Sequence, residues 1–337
     1  MTIGTYDTET LLEVLESLDQ YEPFLLNLFF PNVITFDTSY IGFDMVSDDS
    51  RLAPFVSPMV AGHVMKTKGG NKKNFTPAYL KPKEVVDPER VMMRRAGEAT
   101  GGRLSPEQHR NAIIADILSG QRRKIMQRLE YMAAQVLLQG KLIISGEDYP
   151  TSEVDYQRAA GNTIVLTLDN RWGEATAKPL DDIEAWAAQS EAPITILVMD
   201  RKAYRNFALN TDVQKLLDGR RNSRSQLELG PDNGRLFSYK GTLGSDIEIW
   251  VYSGYYRDDA GNKINYLPDN TVIAGSPAID GVRAFGAILD QAAGYQALEM
   301  FPKNWISQDP AVEFIMTQSA PLIIPRRPNA SIAATVR

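Results

Sequence analysis

The sequence contains no cysteine and only two histidines, His63 and His109. The first absence excludes disulfide staples, thiolate nucleophiles and thiolate metal sites. The second leaves almost nothing from which to build a histidine metal cluster or a serine-histidine relay. Long apolar runs are missing too. The longest candidates, Phe24 to Phe30 and Ile194 to Met199, fall far short of the roughly 18 to 20 residues a membrane span requires. Residues Thr8, Glu9, Thr10, Leu11, Leu12 and Glu13 are acidic and amphipathic, without the basic and then apolar order of a secretory signal, so synthesis is expected in the cytoplasm. Positive charge is in deficit: the formal net charge is −6. This opposes wrapping nucleic acid over the whole surface, leaves room for one locally basic face, and favours a protein partner.

Catalytic signatures are equally scarce. No G-x-S-x-G elbow, G-x-G-x-x-G turn or H-E-x-x-H helix occurs. Gly140-Lys141 has the look of the end of a phosphate-binding loop, but Gln135 stands where that loop needs its first glycine. The acid pairs Asp48 with Asp49 and Asp181 with Asp182 read as solvated caps before a turn or helix. His109 falls on the polar first turn of a helix and reads as solvated; His63 reads as packed within a strand. No catalytic, cofactor-binding or metal-binding residue emerges.

What is present is ordinary globular material, 43% hydrophobic and 23% charged, in a chain of 337 residues that suits one elaborated domain or two smaller ones. Leu11, Leu12, Leu15 and Leu18 have helical period, so residues 8 to 19 read as a short amphipathic helix, either docked on its own domain or reaching a neighbouring subunit. From Val33 to Pro88 the β-formers Ile34, Phe36, Tyr40, Ile41 and Phe43 precede prolines at 54, 58, 77, 82 and 88. This pattern reads as a long hairpin with Gly69 and Gly70 turning within it. Ser105, Pro106 and Gln108 form a capping box that opens a helix to about Gln139, with Gly140 as its stop. Its apolar stripe is Ile114, Leu118, Ile125, Leu129, Met132 and Val136. The pair Ser119 and Gly120 is either a hinge within it or a glycine that lets a crossing strand pack closely.

Short strands follow at 142–145, 154–157 and 163–168. A region alternating helix (180–189, 201–209, 213–217) and strand (194–199, 236–239, 247–252, 264–267, 271–274) then reads as an α/β module. The tail from Glu313 to Ile324 is strand-like. Two basic clusters remain: Lys66, Lys68, Lys72 and Lys73 near the hairpin glycines, and Arg220, Arg221 and Arg224 in a loop. Neither is interleaved with aromatics, so they read as solvated loops or intersubunit salt bridges, without direct sequence-specific DNA reading.

Several passages together resemble the major capsid protein E family of lambda-like tailed bacteriophages. They are Val56-Ser57-Pro58 with Gly62, Gly69-Gly70, Phe75-Thr76-Pro77 leading to Lys81-Pro82-Lys83, Asp181-Asp182-Ile183-Glu184-Ala185 and Ser238-Tyr239-Lys240-Gly241. Further on come Val251-Tyr252-Ser253-Gly254, Leu267-Pro268-Asp269-Asn270-Thr271, Pro302-Lys303-Asn304-Trp305 and Gln318-Ser319-Ala320-Pro321-Leu322. The resemblance implies an α+β fold of the Hong Kong ninety-seven type. Its parts would be an N-terminal arm (1–32), an extended hairpin loop (33–88), a peripheral domain (89–178 and 287–337) with a spine helix at 105–139, and an axial α/β domain (179–286). It further implies a non-enzymatic shell subunit without cofactor. Such a subunit assembles with itself as pentamers and hexamers of an icosahedral head, with a separate scaffold protein, a decoration protein, a portal and packaged DNA, in the virion after assembly in the host cytoplasm. The residues alone leave two other readings open: another virion component such as a tail or connector protein, and a cytoplasmic α/β enzyme with its site in the 180–285 module.

Overall fold

The computed structural model describes residues 6, 8–17, 22–46, 70–92, 105–146, 149–218, 226–227, 236–244, 246–309 and 312–337. In chain order these form α1 (Thr8–Ser17), α2 (Phe24–Phe29), β1 (Asn32–Thr35), β2 (Ile41–Val46), β3 (Gly70–Phe75), β4 (Lys83–Val86), α3 (Pro88–Met92) and α4 (Pro106–Gln139). Next come β5 (Lys141–Gly146), β6 (Tyr149–Asp155), β7 (Thr163–Val165), α5 (Pro179–Gln189), β8 (Ile196–Met199), α6 (Arg201–Leu209) and α7 (Thr211–Asp218). The remainder is strand: β9 (Gln226–Leu227), β10 (Phe237–Leu243), β11 (Ile247–Tyr252), β12 (Tyr255–Arg257), β13 (Lys263–Asn265), β14 (Thr271–Gly275), β15 (Gly281–Phe285), β16 (Phe301–Ile306), β17 (Glu313–Gln318), β18 (Pro321–Pro325) and β19 (Ser331–Thr335).

The largest sheet has seven strands in the order β7-β19-β14-β8-β11-β10-β9. Its central strand β8 is buried along its whole length, and successive side chains of a strand point to opposite faces. Ile196 and Val198 accordingly join a core shared with α2 and α4, while Leu197 and Met199 join one shared with α5, α6 and α7. Strands covered on both faces read as continuous apolar runs, as Ile196 to Met199 does. The second core is aromatic: Trp172 stacks on Trp186 at 5.8 Å between ring centroids and lies 5.6 Å from Phe207.

Two sequence expectations change here. Among the described residues of the 33–88 segment only β2 and β3 pair with each other, with Gly70 opposite Val46. Gly70 therefore lies in a strand, and Gly69 lies outside the described residues. The flanking strands belong to the body, because β1 runs parallel to β15 and β4 antiparallel to β17; an isolated two-stranded ribbon is marginal in water, and these pairings anchor its base. Second, β7 and β19, which the segmentation assigns to the peripheral domain, are hydrogen-bonded into the seven-stranded sheet beside β14.

The apolar stretch 24–30, for which the sequence suggests no element, forms α2. Four of its side chains, Phe24, Leu25, Leu26 and Phe29, are buried. Its C-terminal end lies so close to β15 that a Cβ on Gly281 would come within 2.0 Å of the Phe29 carbonyl oxygen. Only glycine fits there. Helix α1 docks on β16 and α4, burying Leu11 and Leu15.

Candidate functional site

Helix α4 organises the molecule, and its ends form as the sequence anticipates. The Ser105 hydroxyl accepts from the Gln108 amide while the Gln108 side chain accepts from the Ser105 amide. Gly140 takes the left-handed conformation at φ 68°. Arg158 supplies what the sequence did not reveal: its guanidinium donates to the Leu137 and Leu138 carbonyls, satisfying the orphan acceptors of the last turn and opposing the negative end of the helix dipole. Burial pulls its pKa down to about 10, leaving it charged at neutral pH.

Along the buried side of α4 three polar residues bind other elements. Arg110 makes a two-pronged pair with Glu313 on β17, at 2.8 Å for both Nε and Nη2, and Asn304 on β16 donates to the same carboxylate at 2.9 Å. Gln121 donates to the Ile315 carbonyl at 3.0 Å and accepts from the Thr317 hydroxyl at 2.7 Å. Glu130 makes no direct ion pair among the described residues, although Arg283 on β15 feels its charge. Its carboxylate accepts from the backbone amides of Phe24, Leu25 and Leu26 at 3.1, 2.8 and 3.1 Å, and from the Tyr252 hydroxyl at 2.7 Å. One side chain therefore ties α2, α4 and β11 together, and it supplies a negative charge to the first turn of α2, where helix amides lack partners. Phe24 completes the junction by stacking on Phe237 and Tyr252 at 4.8 and 5.2 Å. Burial pushes the Glu130 carboxyl above its ordinary range against the opposing pull of these donors.

The residues singled out from sequence are not drawn into one site. Lys66, Lys68, Arg220, Arg221 and Arg224 lie outside the described residues, as do His63, Asp48 and Asp49. Lys72 and Lys73 sit on β3, opposite Asp44 and Phe43 of β2. Ser119 and Gly120 lie mid-helix in α4, and a Cβ built on Gly120 meets no atom within 4 Å. Among the described residues of this chain, no crossing strand packs against Gly120. His109 is buried, not solvated, with Nδ1 3.1 Å from the Val91 carbonyl oxygen, because α3 folds back over the first turn of α4. Asp182 likewise accepts from the Trp172 indole at 2.8 Å instead of facing water as a simple cap, and Asp181 pairs with Lys178.

Among the described residues no group of three His, Cys, Asp or Glu side chains could hold a metal ion, and no helix is long and apolar enough to cross a membrane. The buried residues Arg110, Gln121 and Glu130 join elements of the fold to one another.

The family model of phage major capsid protein E matches residues 7–336. The major capsid protein of Enterobacteria phage phi80 is 37% identical, aligned over 98% of this chain and 99% of its own. That of Escherichia phage lambda is 36% identical over the same shares. Among solved structures, a prophage capsid protein from E. coli CFT073 superposes with a TM-score of 0.77 at 29% identity, covering 98% of this chain and 99% of the other. The α+β fold of the Hong Kong ninety-seven type and the absence of an enzymatic role agree with these relatives. Matched by one family model along nearly its whole length, the chain belongs to the phage major capsid protein E family of lambda-like phages and prophages.

Proposed function

We propose that the chain builds its shell by binding copies of itself, as pentamers and hexamers of a closed icosahedral head. The observation carrying this reading is that the match to major capsid proteins runs from residue 7 to residue 336, so the resemblance includes every element that would meet a neighbour. The β2–β3 ribbon supports it: no third strand pairs with it among the described residues, and a two-stranded ribbon needs something to cover it. In the shell, residues 33–88 act as the extended loop and 1–32 as the arm. Residues 89–178 and 287–337 form the peripheral domain and 179–286 the axial one, with β7 and β19 shared across that division. Lys66, Lys68, Lys72, Lys73, Arg220, Arg221 and Arg224 act as intersubunit contacts.

A separate scaffold protein guides assembly, a decoration protein, a portal and packaged DNA follow, and the shell forms in the host cytoplasm before becoming part of the virion. Sedimentation velocity of the chain, expressed with and without the neighbouring phage genes, tests this. A large particle in the co-expressed sample supports the reading. Subunit-sized material under both conditions refutes it.

A further inference from the structure

The three-stranded sheet β16-β17-β4 is covered on one side only among the described residues. Helix α4, with α1 beside it, packs on one face, and the pleat sends both acids of the sheet there: Glu313 pairs with Arg110 and Glu84 with Lys124, each at 2.8 Å. On the opposite face Trp305, Phe314 and Val85 stand side by side in one row, and Lys303, Met316 and Lys83 in the next. An antiparallel sheet with one face in water alternates apolar and polar residues along each strand. Strand β17 does not: Ile315 is buried toward α4, and yet Phe314 and Met316 on the other face are apolar and only half-buried. Val85 is 42% exposed, and Trp305 stacks on Phe314 at 5.5 Å between centroids. The row is one apolar strip, the kind of surface that a partner covers. Its rim is cationic. Lys83 Nζ lies 3.9 Å from the Phe314 ring centroid and 5.1 Å from that of Trp305. Lys81 continues the same register, through the bridge of Leu80 with Ser319, and lies 4.9 Å from the Tyr79 ring centroid. Lys303 is matched by Asp290 at 3.0 Å, which leaves Lys81 and Lys83 as the charge this face offers.

We propose that this face is the docking surface for an acidic amphipathic helix of a second protein. The apolar stripe of such a helix covers Trp305, Phe314 and Val85, and carboxylates along its flank pair with Lys81 and Lys83. That arrangement has the apolar centre and polar rim of a protein interface. A nucleic-acid backbone fits less well, because it is held by several phosphate contacts and Lys83 already lies on the rings against which a base would stack. A second copy presenting the same face would set lysine against lysine. The passages Lys81-Pro82-Lys83 and Pro302-Lys303-Asn304-Trp305, distant in the chain, meet on this one sheet. The face is complete within one chain, so its occupation does not depend on self-assembly.

The test offers the unassembled full chain three probes: a synthetic peptide of about 18 residues, long enough to hold a helix, with leucine on one face and glutamate on the other; the same peptide with lysine for glutamate; and a DNA duplex. Fluorescence anisotropy should show the glutamate peptide bound at least about tenfold more tightly than either of the others, and the double variant Lys81→Glu with Lys83→Glu should lower that affinity at least about tenfold. Lys81→Arg with Lys83→Arg should retain it. Exposed substitutions shift stability little, so both variants should unfold at the wild-type midpoint. A benzophenone amino acid at position 85, in the chain co-expressed with the neighbouring phage genes, should crosslink to a peptide of another protein that contains Asp or Glu. Equal binding of the three probes, tighter binding of the lysine peptide or the duplex, or wild-type affinity in the charge-reversed variant overturns the docking surface. So does the absence of adducts at 85, or adducts only with a second copy of this chain. Should the charge-reversed variant fail to fold, the ranking of the probes and the crosslink decide. Shell formation is untouched by any of these results and is tested separately by sedimentation.

Discussion

Replacing Glu130 by alanine should be among the most damaging single changes in the molecule. The carboxylate receives four donors, three backbone amides of α2 and the Tyr252 hydroxyl, at 2.7 to 3.1 Å. Each buried donor left without an acceptor costs about 1–3 kcal/mol. A water entering the vacated space satisfies about two of them, since its oxygen has two lone pairs and a buried water makes about three hydrogen bonds in all. The net loss should therefore be about 2–6 kcal/mol, a large part of the roughly 5–15 kcal/mol that holds a domain folded. Urea unfolding of the unassembled subunit, followed by circular dichroism, measures it. A loss below about 0.5 kcal/mol would refute the view that Glu130 fastens α2 to α4 and β11.

The pH dependence has a definite sign. Burial sets the folded pKa of Glu130 above its unfolded value, so the native state holds the proton more tightly. Its contribution to stability is then fully present below the unfolded pKa and is lost as pH rises through the folded one. Tyr252 on β11 is hydrogen-bonded to the carboxylate, and Arg283 on β15 feels its charge. Glu130→Gln should remove this slope. An unchanged slope would assign the titration to another group.

Three further outcomes follow from close contacts and open space. Gly281→Ala should destabilise the subunit by about 1–3 kcal/mol or more, because its Cβ would press on the backbone of Phe29; a neutral result in the same urea assay would mean that α2 can shift freely. Gly120→Ala, with no atom within 4 Å of the new methyl, should raise subunit stability by up to about 1 kcal/mol. If Ser119-Gly120 is the hinge of the spine helix, the same variant should slow expansion of the shell as DNA enters, and expansion at the wild-type rate would retire the hinge. Arg110→Ala should cost about 3–5 kcal/mol by leaving Glu313 buried and uncompensated, with a double-mutant cycle against Glu313→Gln showing strong coupling; additivity within about 0.5 kcal/mol would show that the pair does not act as a unit.

Much of this architecture could be read from residue order, because local signals were strong where they existed. Ser105, Pro106, Gln108 and Gly140 bounded α4, and the helix expected at 201–209 is α6, whose first amides Asp200 caps. Elements without a period were missed. Helix α2 is only six residues long, with Asn27 as its one polar side chain, too short to show a helical period, and β19 (Ser-Ile-Ala-Ala-Thr) combines small residues with burial on both faces, which erases alternation. The pairing of β1 and β4 with body strands is a long-range choice that local pattern does not encode.

Glu130 was legible in principle: it lies three, four and seven residues before Ala133, Ala134 and Leu137, all buried, so a lone acid stood in an apolar face of α4. Its partners, 104 to 122 residues away in the chain, were not.

Electron microscopy of the protein expressed with its neighbouring phage genes tests the central claim most directly. Self-assembly as a shell subunit predicts closed, hollow particles whose wall is made of this chain in rings of five and six. Open rings or tubes would point to a tail or connector component, and small discrete particles would contradict assembly altogether.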